Sequence, residues 1–171
     1  MNKELKITLI TVSLLILGTS SCTTYSSPRQ SGQWITPSSD ICQANGGKID
    51  NGVCHANWQK AKNICLASGG RLPALDEFTQ LIKECGGVVA DYNFFSRGGE
   101  KELLKREAQN RSNTGYQQCY KTKGFLPATG YWSSKEYIPQ TKGAWYVRFE
   151  EGTTGIYQKA AEYAVRCRGH I

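Results

Sequence analysis

Trp145, Val147 and Phe149 alternate with Tyr146, Arg148 and Glu150, the period-two pattern of a strand with one buried face. Tyr163, Val165 and Cys167 repeat the pattern, with Ala164, Arg166 and Arg168 on the opposite face. The Gly/Thr-rich run 150–155 reads as a turn, so an antiparallel meander of about three strands is predicted, with residues 156–158 as its middle strand. Upstream, Asn51-Gly52 lies between Cys42 and Cys54 and suits a hairpin turn that needs positive φ twice. Asn57 then caps a helix in which Trp58, Ala61 and Cys65 recur, and Gly69-Gly70 stops it. Pro73 holds Leu72 extended, and a second helix is predicted from about Leu75. Asp76 and Glu77 suit its first turn, Phe78, Leu81 and Ile82 form its buried stripe, and Cys85-Gly86-Gly87 ends it.

Between residues 88 and 129 the periodicity weakens. Residues 100–109 suit a short charged helix anchored by Leu103 and Leu104, and residues 110–115 read as loop. The aromatic load of this region, Tyr92, Phe94, Phe95, Tyr116 and Tyr120, fits either sugar stacking or a satellite core under the loop.

The N-terminus changes the picture. After the charged residues 1–6, the uncharged run 7–17 is shorter than the roughly 20 residues of a membrane span, and it reads as a signal peptide covering residues 1–21. Gly18-Thr19-Ser20-Ser21-Cys22 resembles a bacterial lipobox, with Thr19 where Leu is usual. The resemblance implies that Cys22 is lipidated and becomes the membrane anchor. The competing reading is an ordinary secretory signal with Cys22 a lone thiol. Thr23, not Asp, behind the lipid cysteine implies the outer membrane by the sorting rule of that class. Residues 22–40, rich in Ser, Thr, Pro and Gln, read as a flexible tether to a single domain at 41–171.

The formal charge is +7, and removing Lys3, Lys6 and Glu4, together +1, leaves +6 after the signal. Such a balance favours acidic glycans or anionic lipid headgroups, and export argues against nucleic acid. Of seven cysteines, setting Cys22 aside leaves Cys42, Cys54, Cys65, Cys85, Cys119 and Cys167. An even number in an exported chain suggests three disulfides, but six cysteines allow 15 pairings. Zinc is disfavoured, because no Cys-x-x-Cys occurs and His55 and His170 are the only histidines.

Trp132-Ser133-Ser134, the run Ala144-Trp145-Tyr146-Val147-Arg148-Phe149, and Tyr163-Ala164-Val165-Arg166-Cys167 follow an upstream Arg71-Leu72-Pro73-Ala74-Leu75-Asp76-Glu77-Phe78. In this order they resemble the DUF1566 family, also called the Lcl C-terminal domain family, and are similar to the Fibrobacter major-paralogue domains. The resemblance covers roughly residues 41–169. It implies an α+β, C-type-lectin-like and formylglycine-generating-enzyme-like domain, with two helices, the C-terminal meander and a long loop region where ligands are met. It also implies a staple between first helix and last strand, Cys65 with Cys167. Cys42 with Cys54 closing the first hairpin, and Cys85 with Cys119 pinning the middle region, complete the expected set. Family members usually carry Thr or Ser where this chain has Ala74, so a helix-capping hydroxyl is missing.

Catalysis is not expected. The formylglycine-generating relatives depend on reactive cysteines, whereas the six domain cysteines here are assigned to disulfides. Gly-x-Ser-x-Gly, His-Glu-x-x-His, phosphate-loop and EF-hand patterns are absent, and adjacent Asp76 and Glu77 do not face each other on a helix. Calcium is not expected either, since Ile138-Pro139-Gln140 only faintly resembles the lectin motif and no Trp-Asn-Asp follows. No cofactor is implied. What remains is a surface: Arg148, Arg166 and Arg168, flanked by Lys121, Lys123, Lys135 and Lys142, with Tyr116 and Tyr120, as a patch for sulfated or carboxylated polysaccharide. The alternative for Arg166 is a structural pair with Glu77 or Glu150. The reading is a lipid-anchored recognition or adhesion module for an anionic glycan or a protein partner. Against it stands a structural or assembly lipoprotein of the envelope with no glycan ligand.

Overall fold

The computed structural model describes residues 32–91, 99–138 and 142–170. Cys22, the signal segment, Tyr92, Phe94, Phe95, Pro139 and Gln140 lie outside the described residues. In chain order the elements are β1 (Trp34–Ile35), α1 (Ser39–Ala44), β2 (Lys48–Asp50), β3 (Val53–Ala56), α2 (Trp58–Ala67), β4 (Gly70–Arg71) and α3 (Leu75–Glu84). They continue with β5 (Ala90–Asp91), α4 (Glu100–Ser112), α5 (Thr114–Thr122), β6 (Gly130–Glu136), β7 (Gly143–Arg148), β8 (Thr153–Gln158), β9 (Tyr163–Ala164) and β10 (Cys167–Gly169). The class is mixed α+β. A three-stranded sheet runs β1-β10-β4, and a seven-stranded sheet runs β2-β3-β9-β6-β7-β8-β5.

Local chemistry forms the first half. Asn51 and Gly52 both take positive φ, 48° and 77°, which matches their turn to the twist of β2 and β3. The Asn57 side chain accepts from Lys60 N at 3.0 Å, and α2 buries Trp58, Ala61, Ile64 and Cys65. Helix α3 buries Phe78, Leu81 and Ile82. Ala74 has no oxygen to cap it, so only half of a capping box exists: Ala74 N–H donates to Glu77 Oε2 at 2.7 Å.

The last residues of the stretch expected as a tether, from Trp34 on, form regular structure on the domain. Trp34 and Ile35 pair with Arg168 and Cys167, and the Trp34 ring lies 5.4 Å from Phe78 and 5.0 Å edge-on from Phe125. Ser38 caps α1, accepting from Ile41 N at 3.3 Å. The folded body therefore begins inside residues 22–40, because an aromatic ring there finds an apolar site to fill.

The middle region also departs from expectation. Residues 110–115 are not a loop, and the domain has more than two helices. Asn113 closes α4 and opens α5, accepting from Tyr116 N at 3.0 Å and donating to Gly86 O at 3.1 Å. Buried Asn110 accepts from Val88 N at 2.8 Å and donates to Val88 O at 2.6 Å and Glu151 O at 2.7 Å.

In the meander the middle strand is β7, hydrogen-bonded antiparallel to β6 and β8, and residues 156–158 are the far end of β8. Residues 163–168 are not one strand. β9 pairs with β3 and runs parallel to β6, while β10 joins the other sheet. The chain switches sheets at Val165-Arg166, where Val165 N donates to Cys54 O at 2.8 Å. Alternate residues of the large sheet feed two cores. Tyr131, Val147 and Ala164 join Phe78, Phe125 and Phe149 on one side, while Trp132 and Ala144 join Trp58, Ile64 and Leu72 on the other. The disulfides are the expected three: Cys42–Cys54, Cys65–Cys167 and Cys85–Cys119, with Cα separations of 5.8, 5.3 and 5.4 Å.

Candidate functional site

Strand register builds the site. Residues directly opposite each other share a face of a sheet, as do residues two apart. Tyr146 stands opposite Gly155 and Trp132, Arg148 opposite Thr153 and Gly130, and Ala144 opposite Tyr157. Tyr146, Arg148 and Tyr157 thus share the face that elsewhere carries the Trp132 core. Tyr163 joins them from β9, its ring centroid 4.8 Å from Tyr146, 5.9 Å from Tyr157 and 4.7 Å from Trp132.

Small residues make the floor. A Cβ at Gly155 would lie 2.8 Å from Tyr146 Cζ, and one at Gly130 would lie 3.1 Å from both Tyr146 Cδ2 and Tyr163 Cδ1. The tyrosines therefore lie over backbone and do not stand away from it. Tyr157 is 53% exposed, and Tyr146 and Tyr163 are half-buried. Arg148 is exposed, with its guanidinium 5.8 Å from the Tyr146 ring centroid and facing the Tyr163 hydroxyl. Burial and the neighbouring Tyr146 push the Tyr163 phenol up to about 12 against the opposing pull of Arg148, so it remains a neutral hydroxyl that can donate and accept. Among the described residues no carboxylate forms an ion pair with Arg148.

The expected patch does not assemble. Tyr116 and Tyr120 are fully buried in the aromatic core, and no sugar can stack on them. Tyr116 donates to Phe149 O, and Tyr120 donates to Gln117 Oε1 at 2.7 Å. Burial raises both phenols, Tyr120 to about 12. Arg166 does not point outward as the alternation predicted. It is 9% exposed, donates to Lys123 O at 2.9 Å and lies 5.3 Å from the Phe125 ring centroid. Neither Glu77 nor Glu150 is its partner. Arg168 instead donates to Glu77 Oε1 at 3.2 Å and covers Trp34 at 4.6 Å, while Arg71 grips the same carboxylate at 2.7 and 2.9 Å. Lys121 and Lys135 sit over the rings of Tyr120 and Trp145 at 5.8 and 5.2 Å, and Lys123 and Lys142 are exposed. Of the three named arginines, only Arg148 lies on the tyrosine face.

Tyr146, Tyr157 and Tyr163 were missed as a set. The alternation had put Tyr146 and Arg148 together on the outward face, and Gly130 and Gly155 were the signal that a ring needed room. A separate cleft of ≈ 400 Å³ lies along α3 and is lined by Asp76, Lys83, Asp91 and Lys135, charges of both signs. Among the described residues, no group of three or more His, Cys, Asp or Glu side chains is placed to hold a metal ion.

Fold and site together define a disulfide-stapled α+β domain with a tyrosine and arginine sheet face open to solvent. No protein-family model matches the chain, and no curated protein matches it.

Proposed function

We propose that the protein is a non-catalytic recognition module that holds a glycan against the Tyr146, Tyr157 and Tyr163 face, carried at the outer membrane by lipid on Cys22. The observation that carries this reading is the ring cluster, open to solvent at Tyr157, beside an exposed guanidinium that pairs with no carboxylate among the described residues. Phenol faces pack on the C–H face of a sugar, and their hydroxyls exchange hydrogen bonds with sugar hydroxyls. The resemblance to DUF1566 domains supports a C-type-lectin-like frame, which presents such a face on rigid elements. Pairing of all six domain cysteines supports a role without thiol chemistry. The run Gly18-Thr19-Ser20-Ser21-Cys22, which resembles a lipobox, supports lipid on Cys22 as the anchor.

A glycan array tests the binding half. The protein is expected to retain a subset of glycans that Tyr157→Ala loses, with an unchanged melting curve. Retention that survives the substitution, or no retention of any glycan, overturns the assignment. Labelling with a radioactive fatty acid tests the anchor, since label must appear on the wild type and disappear in Cys22→Ser.

A further inference from the structure

The charge available to a ligand on the tyrosine face is smaller than the composition suggests. Arg168 is held by Glu77, and Arg166 is shut behind Phe125 and the Lys123 carbonyl. Lys48 pairs with Glu162 at 3.2 Å, and Lys159 with Glu136 at 2.6 Å. Arg148 is the cation beside the rings, fixed on the middle strand of the meander between Gly130 and Thr153 with Tyr163 and Tyr146 next to it, while exposed Lys142 lies at the opposite end of that strand.

We infer that the face takes one carboxylate of a uronic-acid chain, which meets Arg148, while the ring of a neighbouring sugar in the chain lies on Tyr157, four residues along the strand register. This rests on the glycan-binding reading above and narrows it to a single charge. A guanidinium presents paired donors in a plane and matches a planar carboxylate bidentately. The neighbouring Tyr163 phenol, raised to about 12 by burial, remains a neutral hydroxyl beside the guanidinium. A polysulfated chain draws its affinity from many cations at once, and affinity of that kind falls steeply with salt. One guanidinium gives a shallow dependence, a slope of about −1 in log K against log salt by the one-charge, one-counterion argument. Tyr157 is placed for the ring because its face is the most open of the three.

Titration calorimetry of the whole protein from 50 to 500 mM NaCl, on the order of one Debye-length regime to the next, tests this. The probes are trigalacturonate, its methyl ester, a monosulfated galactose oligosaccharide of equal length, and heparin. Trigalacturonate is expected to bind with the shallow slope, and the ester to bind about tenfold more weakly or worse, as the loss of a charge-assisted hydrogen bond requires. Arg148→Gln should reduce trigalacturonate to the level of the ester, and Tyr157→Ala should weaken both. Arg148 is exposed, so the variant is expected to keep its melting temperature. Equal binding of acid and ester overturns the single-charge inference and leaves glycan binding standing. Tighter binding of the monosulfated probe overturns the carboxylate, and heparin binding with a slope steeper than about −3 overturns the single site. Failure of every sugar, with capture by a protein partner, overturns both readings.

Discussion

Glu77 receives more hydrogen bonds than any other carboxylate described around α3, from Arg71 twice, from Arg168 and from the Ala74 backbone. Burial pushes its pKa up, but the Arg71 hydrogen bonds, the Ala74 N–H and Arg168 outweigh it and hold the carboxyl below its ordinary 4.5. A folded value below the unfolded one means that the stabilisation is complete above about pH 4.3 and disappears as pH falls through the folded value. Glu77→Gln is therefore expected to cost about 1–3 kcal/mol at pH 7, towards the lower end because the cluster is partly solvated. The difference from wild type should shrink below about pH 4, as read by denaturant unfolding across pH. A penalty that is constant with pH would contradict the assignment. The hydroxyl missing at residue 74 would have accepted from Glu77 N–H, and Asp76 Oδ1 accepts from that donor instead at 3.2 Å.

At the scale of elements, α4 is tied down by polar side chains, of which Asn110 is the buried one: Arg106 donates to Val89 O at 3.1 Å, Arg111 to Glu151 Oε1 at 2.8 Å, and Glu107 accepts from Thr153 Oγ1 at 3.3 Å. Its mean composition is charged, and only Leu103 and Asn110 are buried, so packing alone does not fix it. Asn110 ties it to Val88 and Glu151, and a Cβ at Gly152, φ 67°, would come within 2.2 Å of Asn110 Nδ2. Asn110→Ala leaves the partly buried Val88 and Glu151 backbone groups without this partner and is expected to cost about 1–3 kcal/mol, with early amide exchange confined to α4 and the 149–152 turn. Uniform loss of protection would contradict that local role. Elements built from neighbours were legible in the sequence: the Asn51-Gly52 hairpin, the Asn57 cap and the α3 stripe each depend on residues within one or two turns. Tyr116, Cys119 and Tyr120 also recur at helical spacing, but the Asn, Thr and Gly residues before them spoke for a loop, and Asn113 turned out to cap two helices at once. The switch between β9 and β10 was not legible, because it depends on Cys54, Lys123 and Trp34 far along the chain. The tyrosine face was half legible for the same reason: β7 and β8 supply neighbours by alternation, whereas Tyr163 arrives through the pairing of β9 with β3 and β6.

Across the whole molecule the bridges and the two cores keep the sheet rigid enough to present a surface. Cys65–Cys167 spans 102 residues and joins α2 to β10, and closing a loop of that length restricts the unfolded chain by about 4–5 kcal/mol in the entropic account. With α2 and α3 packed on β6 from its two sides, the rings of Tyr146 and Tyr163 rest on glycine backbone at fixed positions. Ligand is expected on this face and not at the buried tyrosines of α5, and side-chain NMR of the protein titrated with trigalacturonate distinguishes the two. The ring resonances of Tyr146, Tyr157 and Tyr163 and the Arg148 Nε–H are expected to move together on one binding curve while those of Tyr116 and Tyr120 stay in place. Shifts centred on Tyr116 and Tyr120, or on the α3 cleft with the sheet face silent, would contradict it.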